Sequence, residues 1–213
     1  MKIWDLPTRL YHWLQAALFI GLAASGFNGQ GPHIYLGLAL FALLLWRITW
    51  GLVGSDTSRF TQFISSPVMI IRYLTGKGST KQGHNPLGAW MVIAMIGTLT
   101  IQCMTGIVIA GLLDNLLDQL LTDDLFDMMV TIHVVAARAL VVFVVLHLAA
   151  IVIYKLRSKP LVWAMISGRK KMIPSDEQID TGDVLHFASN TKAFIVLIAA
   201  VLVTMAIVVV SLF

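Results

Sequence analysis

The chain has 213 residues, of which 58% are hydrophobic and 12% charged, with a net charge of +4 and a mean hydropathy of +0.83. A soluble domain of this length carries about twice that charge density, which excludes an ordinary soluble globular protein. The basic residues sit in short stretches between long apolar runs, so the surplus positive charge reads as membrane orientation and not as nucleic-acid binding.

A helix needs about 20 apolar residues to cross the hydrocarbon core. Stretches at about 10–27, 34–53, 87–112, 129–154 and 193–213 qualify. The first, "LQAALFIGLAASG", ends in small residues as a signal peptide does, but the apolar pattern resumes within about ten residues, so it is expected to stay as a span. The expected fold class is an all-α integral membrane protein. Residues 1–172 form a membrane domain with four transmembrane helices, 173–192 a linker, and 193–213 an additional transmembrane helix. Between the second and third spans, "SSPVMIIRYLTG" predicts a short helix lying on the membrane surface. Ser66 is its expected cap, Pro67 suits the first turn, and Gly76 suits the end. Asn85 and Pro86 predict the start of the third span in the same way.

Lysine and arginine set the expected orientation. Lys2 and Arg9 lie at the N-terminus, and Arg59, Arg72, Lys77 and Lys81 follow the second span. Lys155, Arg157, Lys159, Arg169, Lys170, Lys171 and Lys192 fall between the fourth and fifth. The two remaining connections have no Lys or Arg. Positive loops stay cytoplasmic, so the N-terminus is expected inside and the C-terminus outside.

Residues 133–147, "HVVAARALVVFVVLH", carry histidines fourteen positions apart, about 21 Å along a helix and within about 40° of one face. His12 opens the first span on the inner side, and His33 opens the second on the outer side. His12 and His147 therefore share the inner depth, and His33 and His133 the outer. Paired imidazoles from facing helices suit a planar metal cofactor with two axial nitrogens, such as haem b. Ala16, Gly37, Ala136 and Ala137 leave room for a porphyrin. A single zinc ion cannot span about 21 Å. A proton relay, or histidines that simply hydrogen-bond within the bundle, are the competing readings. Cys103 is the only cysteine, and the chain has no C-x-x-C-H for covalent haem attachment.

"IWDLPTRLYHW", "HIYLGLALFALLLWRITWGLVG", "RFTQFISSP", "GHNPLGA" and "LVWAMISGRK" resemble the bacterial di-haem cytochromes b. That superfamily includes bacterial cytochrome b561 and the cytochrome b subunit of nickel–iron hydrogenases. The resemblance covers roughly residues 3–172. It implies a four-helix transmembrane di-haem bundle with two haem b groups, the inner one ligated by His12 and His147 and the outer one by His33 and His133. It also implies a multi-pass protein of the bacterial inner membrane. Such a protein exchanges electrons between the membrane quinone pool and a periplasmic redox partner, a c-type cytochrome or a hydrogenase-like subunit. It is an electron-transfer subunit more than a stand-alone enzyme. A self-contained quinone oxidoreductase and a haem-free transporter of protons or metal are the alternatives. The fifth span departs from the family pattern and leaves its packing partner open.

Other residues carry two readings each. His84 is part of a capping turn, or lines a quinone site or bonds a haem propionate. Arg9 anchors at headgroups or serves propionates. Arg138, deep in the fourth span, needs a partner in the bundle, in another subunit or on a haem. Asp114, Asp118, Asp123, Asp124 and Asp127 make the outer loop 113–128 either a solvated connection or a docking surface for a basic periplasmic carrier.

Overall fold

The computed structural model describes residues 1–28, 31–75, 85–117, 120–157, 161–169 and 185–213. Among them, five helices are long and apolar enough to cross a membrane: α1 (Leu6–Asn28), α2 (His33–Val53), α5 (Pro86–Ile109), α7 (Asp123–Leu156) and α9 (Asn190–Val210). Between α2 and α5 lie a 3-10 turn at Asp56–Ser58 and the short helices α3 (Phe60–Phe63) and α4 (Pro67–Leu74). Short helices α6 (Asp114–Leu117) and α8 (Leu161–Ser167) precede and follow α7. The ends of the bundle differ in charge. Among the described residues, Lys2, Arg59, Arg72, Lys155, Arg157 and Arg169 make one end of the bundle a basic side, and Asp114, Asp123, Asp124 and Asp127 make the other an acidic side.

The helix ends follow local chemistry. Thr122 accepts a hydrogen bond from the Leu125 amide at 3.3 Å, and Asp123 and Asp124 occupy the first turn, where the helix dipole favours negative charge. These polar residues extend α7 six positions beyond the apolar run expected from 129. Asn85 caps α5 as expected, accepting from the Gly88 amide at 2.6 Å, with Pro86 in the first turn. Gly111, at φ 70°, closes the other end in the left-handed conformation. Ser66 precedes α4 but makes no side-chain cap bond, and Thr75 sits at its C-terminal end. Gly76, expected there, lies outside the described residues, as do His84 and Asp118.

The central core joins Leu40, Phe41 and Leu44 of α2 with Leu99, Cys103 and Ile107 of α5 and Leu140 of α7, and Leu18, Phe19 and Leu22 of α1 pack on it. A second cluster fixes α9 to the bundle. Tyr11, Trp46 and Trp50 stack in sequence with centroids 5.4 Å apart at each step, and Ala193 and Ala200 of α9 lie against them. The Trp46 indole donates to the Ala193 carbonyl at 3.0 Å, and Lys192 Nζ donates to the Val53 carbonyl at 2.7 Å. Just before α9, the His186 carbonyl accepts from the Asp56 amide at 3.1 Å, the His186 amide donates to the Asp56 carboxylate at 2.7 Å, and the Ala188 amide donates to Ser55 Oγ at 3.0 Å. The fifth span therefore packs on this chain's own α2.

The basic side is closed by a buried polar knot. The Asp5 carboxylate accepts from the Thr8 amide at 2.7 Å and from Trp50 Nε1 at 3.2 Å. Thr8 shares a hydrogen bond with Ser58 at 2.7 Å, Thr57 donates to the Ile3 carbonyl at 2.8 Å, and Arg47 donates to the Ser58 carbonyl at 3.2 Å. The Ile3 and Trp4 amides both donate to the carbonyl of Gly168, which follows α8. Gly168 has φ 74°, and a Cβ there would stand 2.8 Å from the Trp4 carbonyl oxygen, so only glycine fits.

Trp50 is fully buried where α1, α2 and α9 meet. Trp50→Ala is expected to cost about 3–5 kcal/mol through the cavity and the lost bond to Asp5. Leu202→Ala, on the exposed face of α9, should stay within about 0.5 kcal/mol. Thermal unfolding in one fixed detergent compares the two.

Candidate cofactor site

All four span histidines are half-buried, and they face each other in two pairs. His12 of α1 and His147 of α7 have ring centroids 6.3 Å apart, with Trp13 edge-on to His12 at 5.1 Å. His33, the first residue of α2, and His133 of α7 also lie 6.3 Å apart. The first pair is on the basic side and the second on the acidic side. Leu140, seven residues from each α7 histidine, and the core around it fill the space between the two levels.

Within each pair, the two helices that carry the histidines do not pack closely on one another. α7 lies closely against α5 and α8, and α1 closely against α2 and α9. α7 approaches α1 and α2 closely at no more than isolated points, so each pair faces across a gap between backbones. Two metal–nitrogen bonds of about 2 Å, each continued by about 1.1 Å to a ring centre, put two opposed imidazoles about 6 Å apart. The observed separation matches at both levels. Among the described residues no three His, Cys, Asp or Glu side chains converge on one point. Two opposed imidazoles suit a planar macrocycle that fills the remaining positions itself.

Around the acidic-side pair, hydroxyl groups lie within hydrogen-bond distance of both rings. Ser25 Oγ donates to the Gly21 and Leu22 carbonyls of its own helix, at 2.8 and 3.2 Å, and lies 3.0 Å from His33 Nδ1. With its proton on one of those carbonyls the oxygen accepts from Nδ1–H, the arrangement that leaves the lone pair of His33 on Nε2. Thr105 repeats the arrangement. It donates to the Ile101 and Gln102 carbonyls and lies 3.0 Å from His133 Nδ1. His133 Nε2 then accepts from Gln102 Nε2 at 2.8 Å. A hydroxyl holding Nδ1–H and leaving Nε2 bare is the tautomer an axial ligand needs. Gln102 uses the same lone pair, so loading a metal there requires its side chain to turn away.

Glycines make the space. A Cβ on Gly26 would stand 3.0 Å from His33 Cε1, and one on Gly106 would stand 3.0 Å from His133 Cε1. The basic-side pair has no such hydroxyl bonds; instead His12 Nδ1 is buried without a hydrogen-bond partner among the described residues.

Of the other residues singled out, Arg9 donates to the Asp5 carbonyl at 3.4 Å and to the Ile166 carbonyl, tying α1 to α8. Arg138 is exposed on the face of α7 turned away from both pairs. Asp114, Asp123, Asp124 and Asp127 are exposed on the acidic side. Ser25, Gln102, Thr105 and Gly106 were not anticipated. Their signal is visible in "QCMTG", where Gln102, Thr105 and Gly106 share one helix face inside an apolar span.

A bundle of apolar helices holding paired imidazoles at two depths defines a membrane protein built to bind a redox cofactor. The chain matches the family described as Prokaryotic cytochrome b561 over residues 3–168, and it belongs to that family. It is thus a membrane b-type cytochrome of electron transfer. α9 lies beyond the matched segment. No curated protein and no solved structure matches the chain.

Gly106→Val would push a branched side chain into the His133 ring, whereas a Cβ on Gly97 of the same helix meets nothing within 4 Å. Haem absorbance per chain should fall in Gly106→Val and stay at the wild-type value in Gly97→Ala.

Proposed function

We propose that the chain binds two b haems, one between His12 and His147 and one between His33 and His133, and carries electrons across the membrane. The observation that carries this reading is the recurrence of one geometry, with opposed imidazoles 6.3 Å apart at two levels of a single helix. Haem b held by two imidazoles supplies one-electron exchange at an iron with no open position.

The chain's own groups do the rest. Ser25 and Thr105 keep the proton on Nδ1 of the acidic-side ligands, which orients the rings and raises the basicity of Nε2. Leu40, Leu44, Leu99 and Leu140 exclude water between the levels. In this reading the basic side faces the cytoplasm and the acidic side the periplasm of a bacterial inner membrane, as the excess of Lys and Arg on one side favours. Quinone and quinol are the membrane substrates in this reading. The exposed aspartates at Asp114, Asp123, Asp124 and Asp127 favour docking of a basic periplasmic carrier such as a c-type cytochrome. Reduction of that carrier should slow as salt rises, and more weakly so in an Asp123→Asn, Asp124→Asn, Asp127→Asn variant, when rates are followed against ionic strength.

Single substitutions test the ligand pairs. His12→Ala and His147→Ala should each remove about half of the haem and leave the same residual redox-difference spectrum. His33→Ala and His133→Ala should leave the complementary one. A His12→Ala spectrum matching that of His33→Ala contradicts the pairing, and protein without a Soret band contradicts haem binding altogether.

A further inference from the structure

Arg138 stands apart from the rest of the polar chemistry. Along α7 it lies eleven residues from Asp127 and seventeen from Lys155, about 16 and 25 Å at about 1.5 Å per residue. Its Cα is therefore near the middle of a hydrocarbon layer about 30 Å thick. Steps of about 100° place it about 140° around the helix from His133 and about 180° from His147. The side chain is exposed and makes no hydrogen bond or ion pair with any described residue. Val134, Val135, Val142 and Val145 surround it on the same exposed stripe.

Arg47, within α2, is treated differently. Arg47 is buried, donates to the Ser58 carbonyl and stands over the Phe60 ring at 5.0 Å. A guanidinium with neither kind of partner is costly in hydrocarbon, and such residues face a counter-charge. The histidine pairs lie on the opposite face, which excludes a group bound there. An arginine side chain extends roughly 6 Å, too short to reach the headgroups from that depth. A second copy is equally unsuitable. Two-fold packing on this face would bring two guanidiniums together. No acidic residue lies in α1, α2, α5 or α9, and those of α7 end at Asp127.

We infer that the Arg138 face of α7 docks a transmembrane helix of a different polypeptide, one carrying an Asp or Glu carboxylate at the depth of Arg138. Charge complementarity selects the partner. The guanidinium fork binds a carboxylate through two parallel hydrogen bonds, and the flanking valines give the helix a flat surface to pack on. The interface is independent of what the histidines ligate.

The test replaces Val142 with a photo-crosslinking amino acid in the full chain in its native membrane, with Ile198 on the exposed face of α9 as control. Irradiation at position 142 should yield an adduct with one other polypeptide, mapped by mass spectrometry to an apolar helix containing Asp or Glu. The control position should not yield that adduct. Arg138→Leu should lower the yield about tenfold or more while haem absorbance per chain stays unchanged, which separates loss of docking from loss of fold. Exchanging charges, with Arg138→Asp here and the partner's acid replaced by arginine, should restore it. An adduct with a second copy, with lipid alone or with a helix lacking a carboxylate overturns the proposal. So does a yield that Arg138→Leu leaves unchanged, and a crosslinker at Val135 repeats the measurement from the other side of Arg138.

Discussion

Hydrocarbon offers no hydrogen bonds, so a polar side chain inside a span must find its partner within the protein or on what the protein binds. That constraint falls hardest on the four span histidines, and the bundle is arranged around them. α7 is long enough to present one imidazole at each depth, while α1 and α2 start at opposite ends and bring one partner each. α7 rests on α5 and not on α1 or α2, and this keeps a gap open between the paired rings. Closing the gap would press the two facing imidazoles of each pair together with no room for a bound group between them.

The two levels are held by different means. On the acidic side, hydroxyls and glycines act on the rings directly: Ser25 and Thr105 bond Nδ1, and Gly26 and Gly106 give the rings room. On the basic side the ordering is indirect. Asp5, Thr8, Thr57 and Ser58 bond the start of α1 to the turn after α2, and Arg9 bonds it to α8. His12 follows within two turns of that anchored start, so the knot sets its depth. α9 adds to the same scaffold through Trp46 and Ala193. A helix beyond the segment matched by the family thus strengthens the wall behind α2 and leaves α7 free on its outer face.

Much of this was legible in the sequence because membranes impose simple rules. Apolar length located the five spanning helices among the described residues, with the start of α7 missed by six positions, and topology alone paired His12 with His147 and His33 with His133, whose rings the structure brings face to face. What escaped was chemistry that apolar counting discards. The first turns of α7 are acidic and capped by Thr122, so a hydropathy window begins too late. Ser66 has the right type and position for a cap, yet makes no cap bond, because a side-chain rotamer is not written in residue order. Ser25, Gln102 and Thr105 read as tolerated polar residues until the fold sets them beside a ring. The docking of α9 depended on small residues, Ala193 and Ala200, meeting two stacked tryptophans from a distant helix.

In the proposed function, two imidazole pairs, separated by an apolar core and spanned by one helix, each hold a haem. The most direct measurement is the haem-to-protein ratio of the purified full-length chain, taken from its pyridine haemochrome spectrum and its amino-acid content. Two b-type haems per chain are expected, since the two levels share one ligand geometry. A ratio of one, or a haemochrome of another type, would contradict the claim.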